Sequence, residues 1–265
     1  MNDWLYNLPV AWMAAVIFGA THLIAGSIYW VVIALAVGDR ARTFKSLSPG
    51  MLPPLGIIFG LLVAFVAAQV WSDLDRAKSA VNAEASALRA AVLLAASFPG
   101  GSEARLRALV RRHIENVVTR EWPSLAEQRA TLTMIPATLA EALWLTLGLT
   151  PSGNGQRVAQ GELVRALQNA LDARRQRIIL SQSNVNWVKW TALWLQAVCT
   201  LIAIAIVHSD NRTTAAIALA LFATGIAVSG LLIAAHSRPF TGEIGVGPEL
   251  LRQVMPEQSV PGSGP

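Results

Sequence analysis

The sequence has few charged residues, which argues against an ordinary soluble protein. Asp, Glu, Lys and Arg make up 14% of its 265 residues, whereas typical soluble domains contain about 25%. Hydrophobic residues make up 54% of the chain. Much of the chain is therefore expected to face lipid or other apolar surfaces rather than water.

The residue types that build catalytic and metal sites are also scarce. Cys199 is the single cysteine, so neither an intramolecular disulfide nor a thiolate metal site is available. The four histidines form no HExxH motif, and the sequence contains no GxSxG motif and no glycine-rich phosphate cradle. We therefore expect no enzymatic activity, no cofactor and no metal site.

The net charge of +5 does not indicate a nucleic-acid partner. The basic residues are spread along amphipathic stretches and are not interleaved with aromatic residues that could stack on bases. Acidic lipid headgroups are the more natural counter-surface for such charges. We expect the lipid bilayer, and no nucleic acid, among the partners of the chain.

Four long apolar segments predict membrane-spanning helices. They are residues 10–37, 51–71, 187–207 and 213–235. Each is long enough for one crossing, because a bilayer core about 30 Å thick needs about 20 helical residues. No Lys or Arg precedes the first segment, so we expect it to remain as an anchor and not to be removed as a signal.

The region between the second and third spans predicts further helices. Leu74, Val81 and Leu88 continue one face of the second span at a spacing of seven residues. Apolar residues at helical spacing follow in 102–122, 125–149 and 157–181. The predicted fold class is an all-α integral membrane protein with four transmembrane helices and a helical cytoplasmic region inserted between spans 2 and 3.

The predicted domain organisation follows from these segments. Residues 1–71 hold spans 1 and 2, residues 72–186 form the helical region, residues 187–251 hold spans 3 and 4 with a short tail, and residues 252–265 form a disordered tail. Four crossings put both termini and the helical region on one side. That side has the larger number of Lys and Arg residues near the membrane, which favours the cytoplasm.

The second span carries two patterns that suggest a pore. Small residues recur at every fourth position, at Gly56, Gly60, Ala64 and Ala68, and allow another backbone to approach closely. Larger apolar residues recur at the same spacing, at Leu55, Phe59 and Val63. If identical helices ringed an axis, these residues would form a hydrophobic constriction. The alternative is ordinary packing within one subunit or against lipid.

Polar residues in and beside the spans are the other candidates. His22 and Gln69 lie within apolar segments, where polar groups are costly and are often functional. For His22, the alternative is a structural role in which a neutral imidazole is hydrogen-bonded to a neighbouring helix. Arg76 and Lys78 follow the second span directly and are candidate cations of a vestibule.

Several motifs resemble the bestrophin-like family of bacterial membrane proteins, long catalogued as a domain of unknown function. They are Trp71 with Asn82, Glu84, Ala85 and Leu88; Arg111, Ile114, Val117 and Glu121-Trp122; and Pro239-Phe240-x-Gly242-x-Ile244. The resemblance covers residues 9–251, and the chain is more distantly similar to the bestrophin channels.

The resemblance implies a fold, an assembly and a function. Bestrophins are pentameric anion channels whose second span forms an apolar neck around the axis. The resemblance therefore implies a homo-oligomer, pentameric in the family, in a bacterial inner membrane, with small inorganic ions as its cargo. Residues 51–71 would line the pore, and the helices after Trp71 would form a cytosolic vestibule.

Three functions are compatible with the sequence. The first is an oligomeric ion channel that favours anions. The second is a structural or signalling membrane protein whose central helices bind a partner. The third is a transporter, which is disfavoured because the four spans contain no Asp or Glu to bind a coupling ion or proton.

Overall fold

The computed structural model describes residues 3–37, 44, 48–133 and 135–257. Within these ranges every regular element is helical. The α-helices are α1 (Val10–Leu35), α2 (Leu52–Ala95), α3 (Gly101–Asn116), α4 (Trp122–Ala126), α5 (Ala137–Leu147), α6 (Asn154–Ser181), α7 (Trp187–Val207), α8 (Arg212–His236) and α9 (Glu249–Gln253). Two 3₁₀ turns, Asp3–Asn7 and Pro49–Met51, and a π-helical turn, Val117–Glu121, complete the set.

Four helices are long and apolar enough to cross a membrane, and they correspond to the four predicted spans. They are Val10–Leu35, Pro49–Ala95, Trp187–Val207 and Arg212–His236. The first ends two residues before the predicted boundary at 37, and the third has the predicted bounds. The second joins its apolar segment to the predicted continuation, so that α2 is one helix of 44 residues.

Local sequence explains where the apolar helices begin. Prolines precede and open α2, where a missing backbone N–H and a fixed φ are tolerated. At the start of α7 the Asn186 side chain accepts a hydrogen bond from the Val188 amide. At the start of α8 the Asn211 side chain accepts from the amides of Thr213 and Thr214. These caps satisfy amides that the first helical turn leaves free.

The chain forms two compact units, of which unit 1 contains the apolar helices. Unit 1 comprises Met1–Ser72, Asn184–Arg238 and Gly242–Ile244. Helix α1 packs against α7 and α8, which also pack against each other. The first part of α2 joins this core through Val66, Ala67 and Val70.

Unit 2 comprises Asp73–Ser183, Pro239–Thr241 and Gly245–Pro265. Its core includes Val81 and Leu88 of α2, both fully buried. Helix α3 packs against α5, and α5 packs against α6. The predicted seven-residue apolar spacing after Trp71 therefore does mark a buried helix face.

The prediction of one helical stretch over 125–149 is wrong. Helix α4 ends at Ala126, and α5 begins only at Ala137. Gln128 has a positive φ of 56°, which a right-handed helix does not allow. Pro136 would also clash with a preceding helical turn, so it acts as the residue before α5.

The predicted disordered tail lies partly within the described residues. Arg252 and Gln253 belong to α9. The carbonyl of Pro256 accepts a hydrogen bond from Arg111 Nη1 at 2.9 Å. Residues 258–265, the rest of the predicted tail, lie outside the described residues.

Candidate functional site

The larger apolar residues predicted to line a pore lie on the packed side of α2. Phe59 is only 9% exposed, and its ring centre lies 5.6 Å from that of Phe222 on α8. The Leu55 carbonyl accepts a hydrogen bond from Gln196 Nε2 on α7 at 3.2 Å. Val63 is half-buried between the two apolar clusters of unit 1. In the single chain these three residues therefore hold α2 against its own neighbours.

The small-residue pattern of α2 lies elsewhere on the helix. Gly60, Ala64 and Ala68 are exposed, and Gly56 is half-buried. A Cβ atom built at Gly56 or Gly60 would meet no other heavy atom within 4 Å. The exposed side of α2 also carries Ile57, Ile58, Leu61 and Phe65. This exposed face, defined by Ile57, Ile58, Gly60, Leu61, Ala64, Phe65 and Ala68, is uncharged and unpartnered in the single chain.

His22 is hydrogen-bonded within unit 1. Its Nδ1 donates to the Phe18 carbonyl at 2.9 Å, and its Nε2 lies 3.4 Å from Thr224 Oγ1 on α8. The Thr224 hydroxyl also lies 2.9 Å from the Ala220 carbonyl. The His22–Thr224 contact thus joins α1 to α8 on an exposed surface, which agrees with a structural role for His22 as a hydrogen-bonding residue between helices.

Gln69 has a cationic partner that sequence reasoning did not connect with it. Lys189 Nζ, from the first turn of α7, donates a hydrogen bond to Gln69 Oε1. Lys189 lies within the third apolar segment, where an ammonium group needs a polar partner. The Gln69 side chain therefore provides a hydrogen-bond acceptor for the Lys189 ammonium group within unit 1.

The two candidate vestibule cations are exposed on α2. Among the described residues, no carboxylate lies within 4 Å of the Arg76 or Lys78 side chain. Asp73 and Asp75 lie on the same part of the helix, so the local sum of charges is zero. Any preference for anions would depend on which of these charges faces the ions.

Sequence reasoning missed a network of buried charges in unit 2. Glu84 on α2 and Arg177 on α6 are both 0% exposed. Arg177 Nε lies 2.8 Å from Glu84 Oε2, and Arg177 Nη2 lies 3.2 Å from Glu84 Oε1. This two-point contact fixes both side chains, because the guanidinium fork matches the carboxylate.

The network extends to a second ion pair. Arg177 Nη2 also donates to Glu121 Oε1 at 2.7 Å, and Arg174 Nε donates to Glu121 Oε2 at 2.9 Å. The Arg177 guanidinium carbon lies 5.1 Å from the ring centre of Trp122, in a cation–π contact. Two carboxylates therefore balance two guanidinium groups.

A histidine completes the network. His113 Nε2 lies 3.3 Å from Glu84 Oε1, and His113 Nδ1 lies 3.3 Å from Thr138 Oγ1. The carboxylate accepts from Nε2–H, which leaves Nδ1 to accept from the threonine hydroxyl. This assignment of donors and acceptors follows from the hydrogen-bond network. We call these residues the ion cluster: Glu84, His113, Glu121, Thr138, Arg174 and Arg177.

The π-helical turn positions part of the ion cluster. Val117–Glu121 adds a wider turn after α3, and Glu121 is its last residue. Trp122 follows directly and opens α4 ahead of Pro123. Such π turns are rare and often occur at functional positions, because the extra residue turns side chains that an α-helix would direct elsewhere.

A sequence signal for the ion cluster exists on α6. Its buried face repeats at alternating steps of four and three residues: Leu163, Leu167, Ala170, Arg174, Arg177 and Ser181. Two arginines thus occupy core positions of an otherwise apolar stripe. An arginine at such a position requires a buried acidic partner.

The position of Glu84 has a consequence for its acidity. Burial raises the pKa of the Glu84 carboxyl, but the Arg177 guanidinium and the His113 hydrogen bond outweigh burial and hold the pKa below its ordinary value of 4.5. Glu84 lies beyond the apolar segment that ends at Trp71. Because its pKa is below 4.5, Glu84 is ionised at neutral pH.

We expect the ion cluster to make folding acid-sensitive. A depressed pKa in the folded state contributes stability above the unfolded pKa, and that stability is lost as pH falls through the folded value. Acidification from about pH 7 to below about pH 4.5 should therefore lower the thermal midpoint less in Glu84→Gln than in the wild type. Thermal unfolding in detergent at a series of pH values measures this difference.

The matched control is Glu162→Gln, because Glu162 forms an exposed pair with Arg165 on α6. This variant should keep the wild-type dependence on pH. An unchanged dependence in Glu84→Gln would contradict the assigned pKa shift.

The described residues offer no evident metal centre. Within the described ranges, no group of three or more His, Cys, Asp or Glu residues is placed to hold a metal ion. The arginines of the ion cluster would repel a cation.

The described residues are all helical in their regular structure, and four long apolar helices define the protein as an integral membrane protein. The chain belongs to the bestrophin-like family, because the bestrophin-like domain matches residues 19–251. This range includes the four apolar helices and the ion cluster, apart from the first residues of α1.

Solved structures show the same fold. The chain is similar to a bacterial bestrophin homologue from Klebsiella pneumoniae, with a TM-score of 0.68 and 13% sequence identity, covering 89% of this chain and 94% of that chain. A single-substitution variant of a bestrophin homologue from the same organism gives a TM-score of 0.70 at 14% identity, covering 90% and 97%. No curated protein matches this chain.

Proposed function

We propose that the protein is a homo-oligomeric ion channel in which the exposed face of α2 surrounds the ion path. Membership of the bestrophin-like family and the fold of bacterial bestrophin homologues support this proposal. The observation that carries it is the two-sided character of α2. One side packs within the chain through Phe59, Val66 and Val70, whereas the other is uncharged and open.

The small residues of the exposed face favour another copy of the chain over lipid. Gly60, Ala64 and Ala68 let a second helix approach closely, and such packing drives helix association in bilayers. Apolar side chains beside them, including Ile57 and Leu61, would narrow a water-filled path and gate it by dewetting. We propose five copies, the number that the family resemblance implies.

The ion path needs no titrating group in the apolar segments. The four spans contain no Asp or Glu, which suits passive conduction better than coupled transport. We propose a preference for anions, with Arg76 and Lys78 as vestibule cations that have no ion-pair partner in the described part of the chain. The helical region between α2 and α7 is proposed to lie in the cytoplasm of a bacterium.

Flux through reconstituted protein tests the proposal. Proteoliposomes held at a membrane potential should pass chloride well above protein-free liposomes, and a salt gradient should give a reversal potential of the sign for anions. The flux should rise linearly with chloride and need no second ion. Absence of flux for chloride, nitrate, sodium and potassium alike would remove the channel proposal.

A second candidate function is partner binding by the helical region. Trp144 and Leu147 of α5 are 74% and 55% exposed, and Ile135 just before this helix is 73% exposed. Exposed apolar side chains in such number can mark an interaction surface. If this candidate is correct, the protein should be a monomer or dimer in detergent. A pull-down should then capture a soluble partner protein, and a substitution at Trp144 should abolish that capture. A closed ring of subunits would instead favour the channel.

A further inference from the structure

Unit 2 contains a cavity next to the ion cluster. Its volume is about 480 Å³. It lies between the π-helical turn, the segment that follows α4, the start of α5 and helix α6. Sites for small molecules usually have volumes of about 300–1,000 Å³.

Three buried polar side chains form the floor of the cavity. His113, Thr138 and Arg174 line it and are each at most 9% exposed. Arg174 donates to Glu121 through Nε. In the part of the chain that the structure describes, its two terminal amino groups have no hydrogen-bond partner, and the residue lines the cavity. A buried guanidinium with free donors is suited to a planar carboxylate.

The charge around the cavity is positive. The lining residues include Arg120, Arg129 and Arg174, against the single carboxylate of Glu121. Arg129 is paired with Glu127, but no described carboxylate lies within 4 Å of Arg120. The lining therefore attracts an anion rather than a cation.

One wall of the cavity is apolar. Val117, Ile135, Pro136 and Ile178 contribute to it. A bare inorganic ion would leave this wall without a partner, whereas a short hydrocarbon body would cover it. The lining thus combines an anion-binding end with an apolar wall.

We propose that this cavity binds a small organic anion, a carboxylate with a short apolar body. The free amino groups of Arg174 hold the carboxylate, Arg120 adds attraction at the rim, and the body packs against Ile135 and Pro136. The inference does not depend on ion conduction, because binding is measured on protein in detergent.

Titration calorimetry on the full chain tests the site with benzoate as the probe. Benzoate carries a carboxylate on an apolar ring, and benzamide has the same shape without the charge. Benzoate at concentrations up to about 10 mM should bind and raise the thermal midpoint. Benzamide should do neither.

Three variants locate the binding. Arg174→Lys keeps the positive charge but removes the planar guanidinium group that can donate two parallel hydrogen bonds. This variant should weaken the binding of benzoate about tenfold or more. Arg120→Gln removes an exposed rim charge and should weaken benzoate about threefold. Arg112→Gln is the matched control, because Arg112 is an exposed arginine of α3 that does not line the cavity. It should leave the affinity unchanged.

Size-exclusion elution and the thermal midpoint report whether each variant is folded. If Arg174→Lys does not fold, the comparison of Arg120→Gln with Arg112→Gln decides the matter. Equal weakening in those two variants, equal binding of benzamide, or no benzoate binding by the wild type would each overturn the proposal.

Discussion

Replacement of Arg177 by methionine should lower the free energy of unfolding by about 3–5 kcal/mol. Arg177 is fully buried and contacts both Glu84 and Glu121, so its removal leaves buried carboxylates without their counter-charge. Methionine keeps part of the side-chain volume but none of the five N–H donors. Thermal unfolding in detergent should show a midpoint lower by about 10 °C, given a few degrees per kcal/mol for a chain of this size.

Arg165→Met is the matched control on the same helix. Arg165 forms a salt bridge with Glu162, but its side chain is 73% exposed, so this loss should cost less than about 1 kcal/mol. The double variant Glu84→Gln/Arg177→Met should recover part of the stability, because no carboxylate then remains at position 84 without a counter-charge. Equal midpoints for Arg177→Met and Arg165→Met would contradict the stabilising role of the ion cluster.

The helices were predictable where composition and spacing act over long stretches. The length of the apolar segments and their lack of acidic residues were enough to predict the four spans. The seven-residue spacing of Leu74, Val81 and Leu88 indicated that α2 continues beyond its apolar segment. The 125–149 region was less predictable. Its apolar residues fit a helical period, yet Pro136 and the backbone conformation of Gln128 decide the local structure. A local steric constraint thus outweighed periodicity.

The ion cluster was not predictable as a set of contacts. Glu84 and Arg177 are 93 positions apart in the sequence, and a single sequence does not reveal which distant charges meet. The basic residues were interpreted as charges spread along amphipathic stretches, although Arg174 and Arg177 follow the spacing of the apolar stripe of α6. Attention to that register would have predicted buried arginines, but not their partners.

The pore-lining assignment shows a related limit. Spacing of four residues selects one side of a helix but does not say whether that side faces the same chain or another copy. Leu55, Phe59 and Val63 share their spacing with the small residues, and the packing of Phe59 on Phe222 favours the small-residue side for contact between copies. The lining of an ion path remains a proposal for both sets.

A tryptophan at position 60 tests which side of α2 borders the ion path. Gly60→Trp should reduce chloride flux in proteoliposomes by at least about tenfold, because the indole would fill the open space at this position or push neighbouring copies apart. The fold of the single chain should survive, since a Cβ built there meets no heavy atom within 4 Å apart from the adjoining backbone of its own helix.

Gly225→Trp on α8 is the matched control for Gly60→Trp. Gly225 is also exposed in an apolar helix, and a Cβ built there likewise meets no atom within 4 Å. If α2 alone surrounds the path, Gly225→Trp should retain most of the flux while Gly60→Trp loses it. Equal flux in the two variants, at equal amounts of reconstituted oligomer, would place the exposed face of α2 against lipid and remove it from the ion path.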